Sequence, residues 1–257
     1  MCLILFAYDH HPDFRLILAA NRDEFHDRPT LPLHFWPDKP ALLAGRDLKA
    51  RGTWLGVTRR GRLAALTNFR EPESVNSRAP SRGALVRDFL ETELDAEAHL
   101  SRVAAMDAVY NGFNLLVGDI NALWYYSNRG PGILRVPPGI HGISNHLMDT
   151  PWPKVTGGKA ELERLIRTDA IDEEALFRLL GDRTPPPPEQ LPDTGVGPVW
   201  ERLLAPRFIT SNVYGTRSSS LVLIRKDLTV RMVERTFPVG GADPPEPETR
   251  QFDLCWR

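Results

Sequence analysis

The amino-terminal stretch MCLILFAYDHHPDFRLILAANRDEF, residues 1–25, decides the fold of this 257-residue chain. Its two apolar segments, CLILFAY and FRLILAAN, flank a turn signalled by His11-Pro12-Asp13. We therefore predict a β-hairpin that begins at Cys2. Because the second strand of an antiparallel hairpin returns to the start of the first, the polar group Asn21-Arg22-Asp23-Glu24 is expected to lie beside Cys2.

Cys2 in this position has the chemistry of an N-terminal nucleophile. A methionine followed by a small residue is readily removed in the cell, which would leave Cys2 with both a thiol and a free α-amine. An α-amine, with a reference pKa of about 8, is a suitable base at neutral pH, and a thiolate is a strong nucleophile. Arg22 would lower the thiol pKa, and Asp23 would hold or orient the amine. The alternatives are a Cys2 that merely packs in the first strand and an exposed, salt-bridged loop at residues 21–24.

Three further hairpins and a helical middle indicate an α+β protein. The hairpins are TWLGVTRRGRLAALTNF, FNLLVGDINALWYYSN and SSSLVLIRKDLTVRMVERTF. The first of them and the amino-terminal hairpin make four strands before residue 70. Apolar residues at helical spacing predict two helices within 81–106 and two within 160–180, with a helix start at Gly157-Gly158-Lys159. Strand-rich ends around a helical middle predict antiparallel sheets covered by helices.

A proline-rich segment at residues 183–197 is expected to be an extended surface loop. An interdomain linker is the alternative, but the following segment holds little more than one hairpin and would be marginally stable alone. We therefore expect residues 1–257 to form a single domain. Behind the last hairpin, the tail GGADPPEPETR is polar.

The composition excludes several classes of partner. With 32 basic and 33 acidic residues the net charge is −1, so the chain creates no general field that attracts nucleic acid or anionic lipid. It has no apolar stretch of about eighteen residues, so we expect no transmembrane segment. The start of the sequence also lacks the features of a signal peptide. Only two cysteines, Cys2 and Cys255, suit a reducing compartment, and we expect a cytoplasmic location. The expected partner is a small-molecule ligand or substrate, and the oligomeric state stays open.

Metal and nucleotide signatures are missing from the sequence. It has no HExxH, no CxxCH and no paired Cys/His zinc spacing, and neither GxGxxG nor GxxxxGK[ST] occurs. We therefore expect no metal site and no resident cofactor.

Polar groups also cluster in three later segments, in the style of residues 21–24. Asparagine side chains donate N–H groups of the kind that stabilise an oxyanion, and Arg217 is suited to clamp an anionic or acyl substrate. Taken singly, such residues are more often structural. The segments are Thr67-Asn68-Phe69-Arg70, Gly142-Ile143-Ser144-Asn145-His146 and Tyr214-Gly215-Thr216-Arg217-Ser218.

Many ordered motifs between residue 2 and about residue 225 resemble the NRDE-motif family, which is related to transport and Golgi organisation protein 2. The resemblance implies an N-terminal nucleophile (Ntn) hydrolase-like fold, a four-layer αββα sandwich, with a more remote similarity to choloylglycine hydrolase and penicillin V acylase. The motifs are MCLI, AANRDE, AGRD, GTWLGV, TNFR, SRG, NGFNLL, HGISN, PWPK and YGTRSSS.

The resemblance to the acylases also implies catalytic roles. In those enzymes an arginine lies a few residues before the aspartate, where this chain has Ala20, whereas Arg22 directly precedes Asp23. Since adjacent strand residues face opposite sides, Arg22 is expected to approach the thiol differently. The implied catalytic set is Cys2 as nucleophile, Arg22, Asp23 near the α-amine, Asn68 and Asn145 near the oxyanion, and Arg217 on the substrate or nucleophile. The candidate substrate-binding residues in these motifs are Asn21, Glu24, Trp54, Arg70, His146 and Tyr214.

Two functions follow from the resemblance and stay open at this point. The first is an N-terminal-cysteine hydrolase that acts on a non-peptide amide or an acyl-conjugated small molecule. The second is a non-catalytic carrier of haem or an acyl lipid, since the family is linked with haem trafficking and with lipid or acyl-CoA metabolism. Haem would then be a cargo ligand held beside Cys2 or a histidine.

Overall fold

Two antiparallel β-sheets form the centre of the molecule. The computed structural model describes residues 2–167, 170–238 and 246–256. The first sheet has the strand order β10-β1-β2-β11-β12-β13 and the second has the order β3-β4-β5-β6-β7-β8-β9. The strands of the first sheet are β1 (Cys2–Tyr8), β2 (Phe14–Phe25), β10 (Gly139–Ile143), β11 (Tyr214–Arg225), β12 (Thr229–Thr236) and β13 (Glu248–Cys255). Those of the second are β3 (Thr30–Trp36), β4 (Lys39–Asp47), β5 (Leu55–Thr58), β6 (Leu63–Asn68), β7 (Phe113–Gly118), β8 (Leu123–Ser127) and β9 (Leu134–Arg135).

Helices cover the outer faces of both sheets. The helices are α1 (Gly83–Glu91), α2 (Ala96–Ala104), α3 (Pro153–Leu165), α4 (Glu173–Leu180) and α5 (Pro198–Leu204). Helices α1 and α2 pack on the second sheet through Phe89 and Leu100, and α3 and α4 pack on the first through Leu162 and Leu176. Asp95 and Asp172 cap the N-termini of α2 and α4 by accepting backbone N–H bonds.

The alternation of side chains along β1 separates two cores. Ile4 and Phe6 point between the sheets, where they join residues such as Leu43 and Leu116 of the second sheet. Leu3 and Leu5 point the other way, against the helices. Because β1 is buried on both faces, its sequence is a continuous apolar run. The layers are thus helix, sheet, sheet, helix, which confirms the predicted α+β fold with antiparallel sheets flanked by helices.

The prediction of four strands before residue 70 was wrong. Six strands precede residue 70, because residues 30–47 form the additional hairpin β3–β4. Three prolines and several charged residues interrupt the apolar pattern of this segment, and β3 forms an edge of the second sheet, where such residues are tolerated. Strands β9, β10 and β13 and helix α5 were also not recognised.

The predicted helix start at Gly157-Gly158-Lys159 was wrong as well, because α3 begins at Pro153 and contains these residues. A Cβ on Gly158 would lie 2.6 Å from Leu5 Cδ1, so the glycine permits close packing of α3 on β1. The proline-rich segment at 183–197 contains a short 3₁₀ helix, Pro188–Gln190, and no other helix or strand. Residues 240–245 of the polar tail lie outside the described residues. No helix in the described ranges is long and apolar enough to cross a membrane.

Candidate active site

The first hairpin brings Cys2 and the polar group of residues 21–24 together. Cys2 pairs directly with Arg22 in the register of β1 and β2, so both side chains lie on the face between the sheets. Asp23 follows on the opposite face, and its backbone N–H is hydrogen-bonded to the Cys2 sulfur. This agrees with the expected approach of β2 to Cys2. Met1, whose removal the sequence predicted, lies outside the described residues.

Cys2 opens into a cavity of about 400 Å³. Loops from both sheets surround it, including the segment from Val75 to Gly83 that leads into α1. Of the twelve predicted site residues, six line the cavity: Cys2, Arg22, Asp23, Glu24, Trp54 and Asn68.

Arg22 and Trp54 form one wall of this cavity. The Arg22 guanidinium carbon lies 4.2 Å from the centre of the Trp54 ring, a cation–π contact. The ring is held in turn against Gly45, where a Cβ would lie 2.4 Å from Trp54 Cη2. The lack of a side chain at Gly45 therefore leaves room for the Trp54 ring in the position where Arg22 stacks on it.

The electrostatics around Cys2 favour the neutral thiol. Burial raises the pKa of Cys2, and the nearby Asp23 carboxylate raises it further, while Arg22 lowers it. Burial also raises the pKa of Asp23, against the lowering influence of Lys154 and of a 2.7 Å hydrogen bond that Thr216 Oγ1 donates. Cys2 therefore requires a base that accepts its proton before it can attack a carbonyl group.

Lys154 is a charged neighbour that the sequence analysis missed. It lies in the first turn of α3, is 7% exposed, and donates from Nζ to the carbonyl oxygen of Leu204 at 2.9 Å. Burial lowers the pKa of Lys154 to about 8, and the carboxylate of Asp23 is the largest opposing influence. Perturbed buried groups of this kind are typical of functional sites. The signal was the motif PWPK, which was recognised without a role for its lysine.

Arg70 lies behind the cavity and does not line it. Its guanidinium forms a buried ion pair with Glu201 of α5, at 2.6 Å, and lies 4.9 Å from the centre of the Trp152 ring. Glu201 was not predicted, because nothing in the local pattern of α5 indicates that a carboxylate will be buried. The pair links α5 to the end of β6 and thereby supports the region around Asp23.

Three of the predicted site residues hold backbone groups in the structure. Arg217 donates from one guanidinium nitrogen to the carbonyl oxygens of Phe25, His26 and Arg28, and does not line the cavity. Asn145 is fully buried and donates to the backbone oxygen of Asn68 at 2.9 Å. Asn21 donates to the carbonyl oxygens of Leu180 and Arg207. Asn145 thus positions Asn68, whereas Arg217 and Asn21 secure the polar end of β2.

His146 and Tyr214 also stand outside the cavity lining. His146 contacts Thr150 Oγ1 at 2.8 Å through Nδ1 and packs against the rings of Phe69 and Trp152, and burial lowers its pKa. Tyr214 is buried, and burial raises the pKa of its hydroxyl well above the usual value. Both residues are part of the packed surroundings of the site.

The cavity contains further charged residues that the sequence analysis missed. Arg28 forms a pair with Asp47, which also accepts backbone N–H bonds from Lys49 and Ala50. Arg82, just before α1, lines the same cavity and donates to the carbonyl oxygen of Gly112 at 2.9 Å. Among the described residues, no group of three or more His, Cys, Asp or Glu side chains is arranged to hold a metal ion.

Comparisons with known proteins place the chain in a family. Two solved structures resemble it: the Caenorhabditis elegans ortholog of N-acylethanolamine-hydrolyzing acid amidase (13% identity, 86% of this chain and 92% of that one, TM-score 0.47), and a mutant of conjugated bile acid hydrolase from Clostridium perfringens (10% identity, 100% and 98%, TM-score 0.49). Sequence relatives include the Transport and Golgi organization protein 2 homologs of Bos taurus, 39% identical, and Homo sapiens, 37% identical, each over 99% of both chains. The family model for Transport and Golgi organisation 2 matches residues 1–238. The chain therefore belongs to the Transport and Golgi organisation 2 family.

Proposed function

We propose that this protein is an N-terminal-cysteine hydrolase that cleaves a non-peptide amide or an acyl-conjugated small molecule. The observation that carries the proposal is the position of Cys2, at the first residue of β1, on the wall of a cavity of about 400 Å³, opposite Arg22 and hydrogen-bonded to the Asp23 backbone. A reactive thiol, a basic side chain and a carboxylate at one point of a cavity are the parts that acyl transfer requires.

The α-amine of a processed Cys2 is the base that fits this site best. The thiol has a raised pKa, and no histidine stands among the described residues of the cavity lining. An α-amine has a reference pKa of about 8 and would be attached to the nucleophile itself. Asp23, on the strand directly beside Cys2, would hold this amine in place by charge and hydrogen bonding.

The reaction proceeds in two steps. The amine takes the thiol proton, and the sulfur attacks the carbonyl carbon of the substrate to give a tetrahedral oxyanion. The Asn68 side chain is the candidate donor to that oxyanion, and Asn145 positions it through the Asn68 carbonyl. The C–N bond then breaks, the leaving amine takes the proton from the α-ammonium, and a thioester remains. Water, deprotonated by the same α-amine, hydrolyses the thioester and regenerates the thiol.

The polarity of the cavity supports a small polar substrate rather than haem. Haem buries a large apolar ring and takes an axial His, Met, Tyr or Cys ligand. Within the described lining there is no His, Met or Tyr, and seven of the side chains are charged. Cys2 is the remaining candidate ligand, and its raised pKa disfavours the thiolate that binds iron.

The test is turnover of a panel of amides and acyl conjugates, with the N-terminus of each preparation defined by intact mass. Wild type that begins at Cys2 is expected to release acid and amine, and Cys2→Ala is expected to lose about a thousandfold or more of the rate. Cys255→Ala is the matched control and should retain the wild-type rate, because Cys255 is exposed on β13. Undiminished turnover by Cys2→Ala would reject the mechanism. A saturable haem spectrum that is lost in Cys2→Ala, without turnover in wild type, would favour the carrier.

A further inference from the structure

Arg22 is an almost buried cation that lines the cavity beside Cys2. Its residue is 6% exposed, yet within the described part of the chain no acceptor is hydrogen-bonded to its guanidinium. The carboxylate oxygen that approaches it, Glu24 Oε2, lies 3.9 Å away, which is beyond hydrogen-bond distance. Glu24 is itself engaged elsewhere, because its Oε1 accepts the backbone N–H of Phe25 at 2.9 Å.

This arrangement is unusual for a buried arginine. A guanidinium carries five N–H donors, and buried polar groups nearly always have partners. Arg46 provides the contrast, since it also stacks on a tryptophan, Trp36 at 4.2 Å, but forms a two-bond ion pair with Asp38. The Trp54 ring holds the Arg22 guanidinium in place without using its donors, and Arg22 lines the cavity, so these donors are available to a ligand there.

A second arginine lines the same cavity. Arg82 uses one nitrogen to bond the Gly112 carbonyl oxygen, and burial lowers its pKa against the influence of Glu24. Lys49 lies on the exposed rim and has no acidic partner among the described residues. These three cations would therefore gain more from an anionic ligand than the paired arginines elsewhere in the molecule.

We infer that Arg22 and Arg82 bind a carboxylate of the ligand beside the Cys2 thiol. Arginine forks match planar oxyanions in geometry and charge. The lining residues include four basic ones and three acidic ones, so an anionic ligand is favoured, and the planar fork of an arginine matches a planar carboxylate. Cys2 is paired with Arg22 in the register of β1 and β2, and both arginines are close enough to Cys2 to interact with it electrostatically, which places this site near the carbon that Cys2 would attack.

The substrate class follows from this placement and rests on the proposed function: an amide with a carboxylate close to the scissile bond, such as an N-acyl amino acid. The carboxylate-binding site at Arg22 and Arg82 can be tested without turnover. It can be measured with two alkylating agents of nearly equal size, iodoacetate, which is anionic, and iodoacetamide, which is neutral. In each case the Cys2 sulfur forms a bond to carbon, iodide leaves with the bonding electrons, and the thiol proton passes to the buffer.

The experiment measures both alkylation rates at Cys2 and at Cys255 in the full-length protein by peptide mass spectrometry. Cys255, which is exposed on β13, is the internal reference for the intrinsic difference between the reagents. The ratio of iodoacetate to iodoacetamide rates is expected to be about tenfold higher at Cys2 than at Cys255. A change in the Cys2 pKa alters both rates equally and cancels from the ratio.

Arg22→Met and Arg82→Met should each bring the Cys2 ratio close to that of Cys255, and Arg46→Met should leave it at the wild-type value. Arg22→Lys, which retains the charge but loses the fork, should give an intermediate ratio if Arg22→Met folds poorly. Acetate should protect Cys2 from iodoacetamide more than phosphate does at equal ionic strength. Equal ratios at the two cysteines in wild type would overturn the site, and stronger protection by phosphate would overturn the carboxylate assignment. A raised ratio in a protein without turnover would reject only the proposed hydrolase.

Discussion

Lys154→Met is expected to change how the stability of the protein depends on pH. Lys154 is buried in the first turn of α3, where the helix dipole adds to the cost of a positive charge. The nearby Arg70 disfavours the charge as well, while the carboxylates of Asp23 and Glu201 favour it. Together these influences make the ammonium form of Lys154 less favourable in the folded state than in the unfolded chain.

The magnitude follows from the pKa of Lys154, which falls from 10.5 to about 8 on folding. A tenfold change in a protonation equilibrium corresponds to about 1.4 kcal/mol, so the ammonium form destabilises the fold by about 3 kcal/mol at neutral pH. Between these two pKa values the unfolded chain binds more protons than the folded one. The free energy of unfolding therefore increases with pH in this window, and below it the destabilisation by Lys154 is complete and no longer depends on pH.

Urea unfolding of wild type and Lys154→Met across this interval is the assay. The free energy of unfolding of wild type, relative to that of the variant, should rise by about 3 kcal/mol from about pH 7.5 to pH 10.5. Lys159→Met is the matched control on the same helix: it removes a lysine bonded to Asp149 at 2.6 Å, retains Lys154, and should keep the wild-type slope. A difference between wild type and Lys154→Met that stays constant with pH would refute the reasoning.

Three further predictions concern stability. Gly52→Ala should destabilise the protein by about 1–3 kcal/mol, because the new Cβ would lie 2.5 Å from a backbone carbon at the start of α1. Gly157→Ala should stabilise the protein by about 0.5–1 kcal/mol, because no atom lies within 4 Å of the new Cβ. Urea unfolding measures both changes. Arg70→Met should cost about 3–5 kcal/mol, because the buried Glu201 carboxylate loses the cation of its ion pair and keeps the hydrogen bonds from Thr194. Adding Glu201→Leu should recover part of the loss in a double-mutant cycle. Burial lowers the pKa of His99 from 6.5 to about 4, so wild type should lose stability as pH falls through this range, because the unfolded chain is protonated first. His99→Leu should reduce the change in the free energy of unfolding with pH over this range. An unchanged pH dependence in the variant would contradict the assignment.

The part of the site nearest Cys2 could be predicted because it depends on local pairing. A hairpin with a short turn brings its two ends together, and the register Cys2–Arg22 follows from the lengths of the two strands. The face of each side chain follows from the same alternation. The hairpin β3–β4 escaped recognition because prolines and charges at a sheet edge weaken the pattern on which strand prediction depends.

The remainder of the site depends on contacts between distant segments. Lys154 and Glu201 come from α3 and α5, and the sequence of neither helix indicates that its charge will be buried near Asp23. The sequence analysis placed Arg217 on the substrate or nucleophile. In the structure β11 is irregular between Thr216 and Ser218, and the Arg217 side chain binds carbonyl oxygens at and after the end of β2. Such outcomes depend on tertiary packing, which overrides local preference.

The most direct test of the account is the covalent state of Cys2 during turnover. Wild type mixed with a cleaved amide and quenched in acid should give an intact mass in which the chain begins at Cys2 and carries the acyl group as a thioester on that residue. Cys2→Ala treated in the same way should carry none. An active preparation that retains Met1, or turnover with no acyl group on Cys2 under conditions in which hydrolysis of the thioester is rate-limiting, would contradict the account.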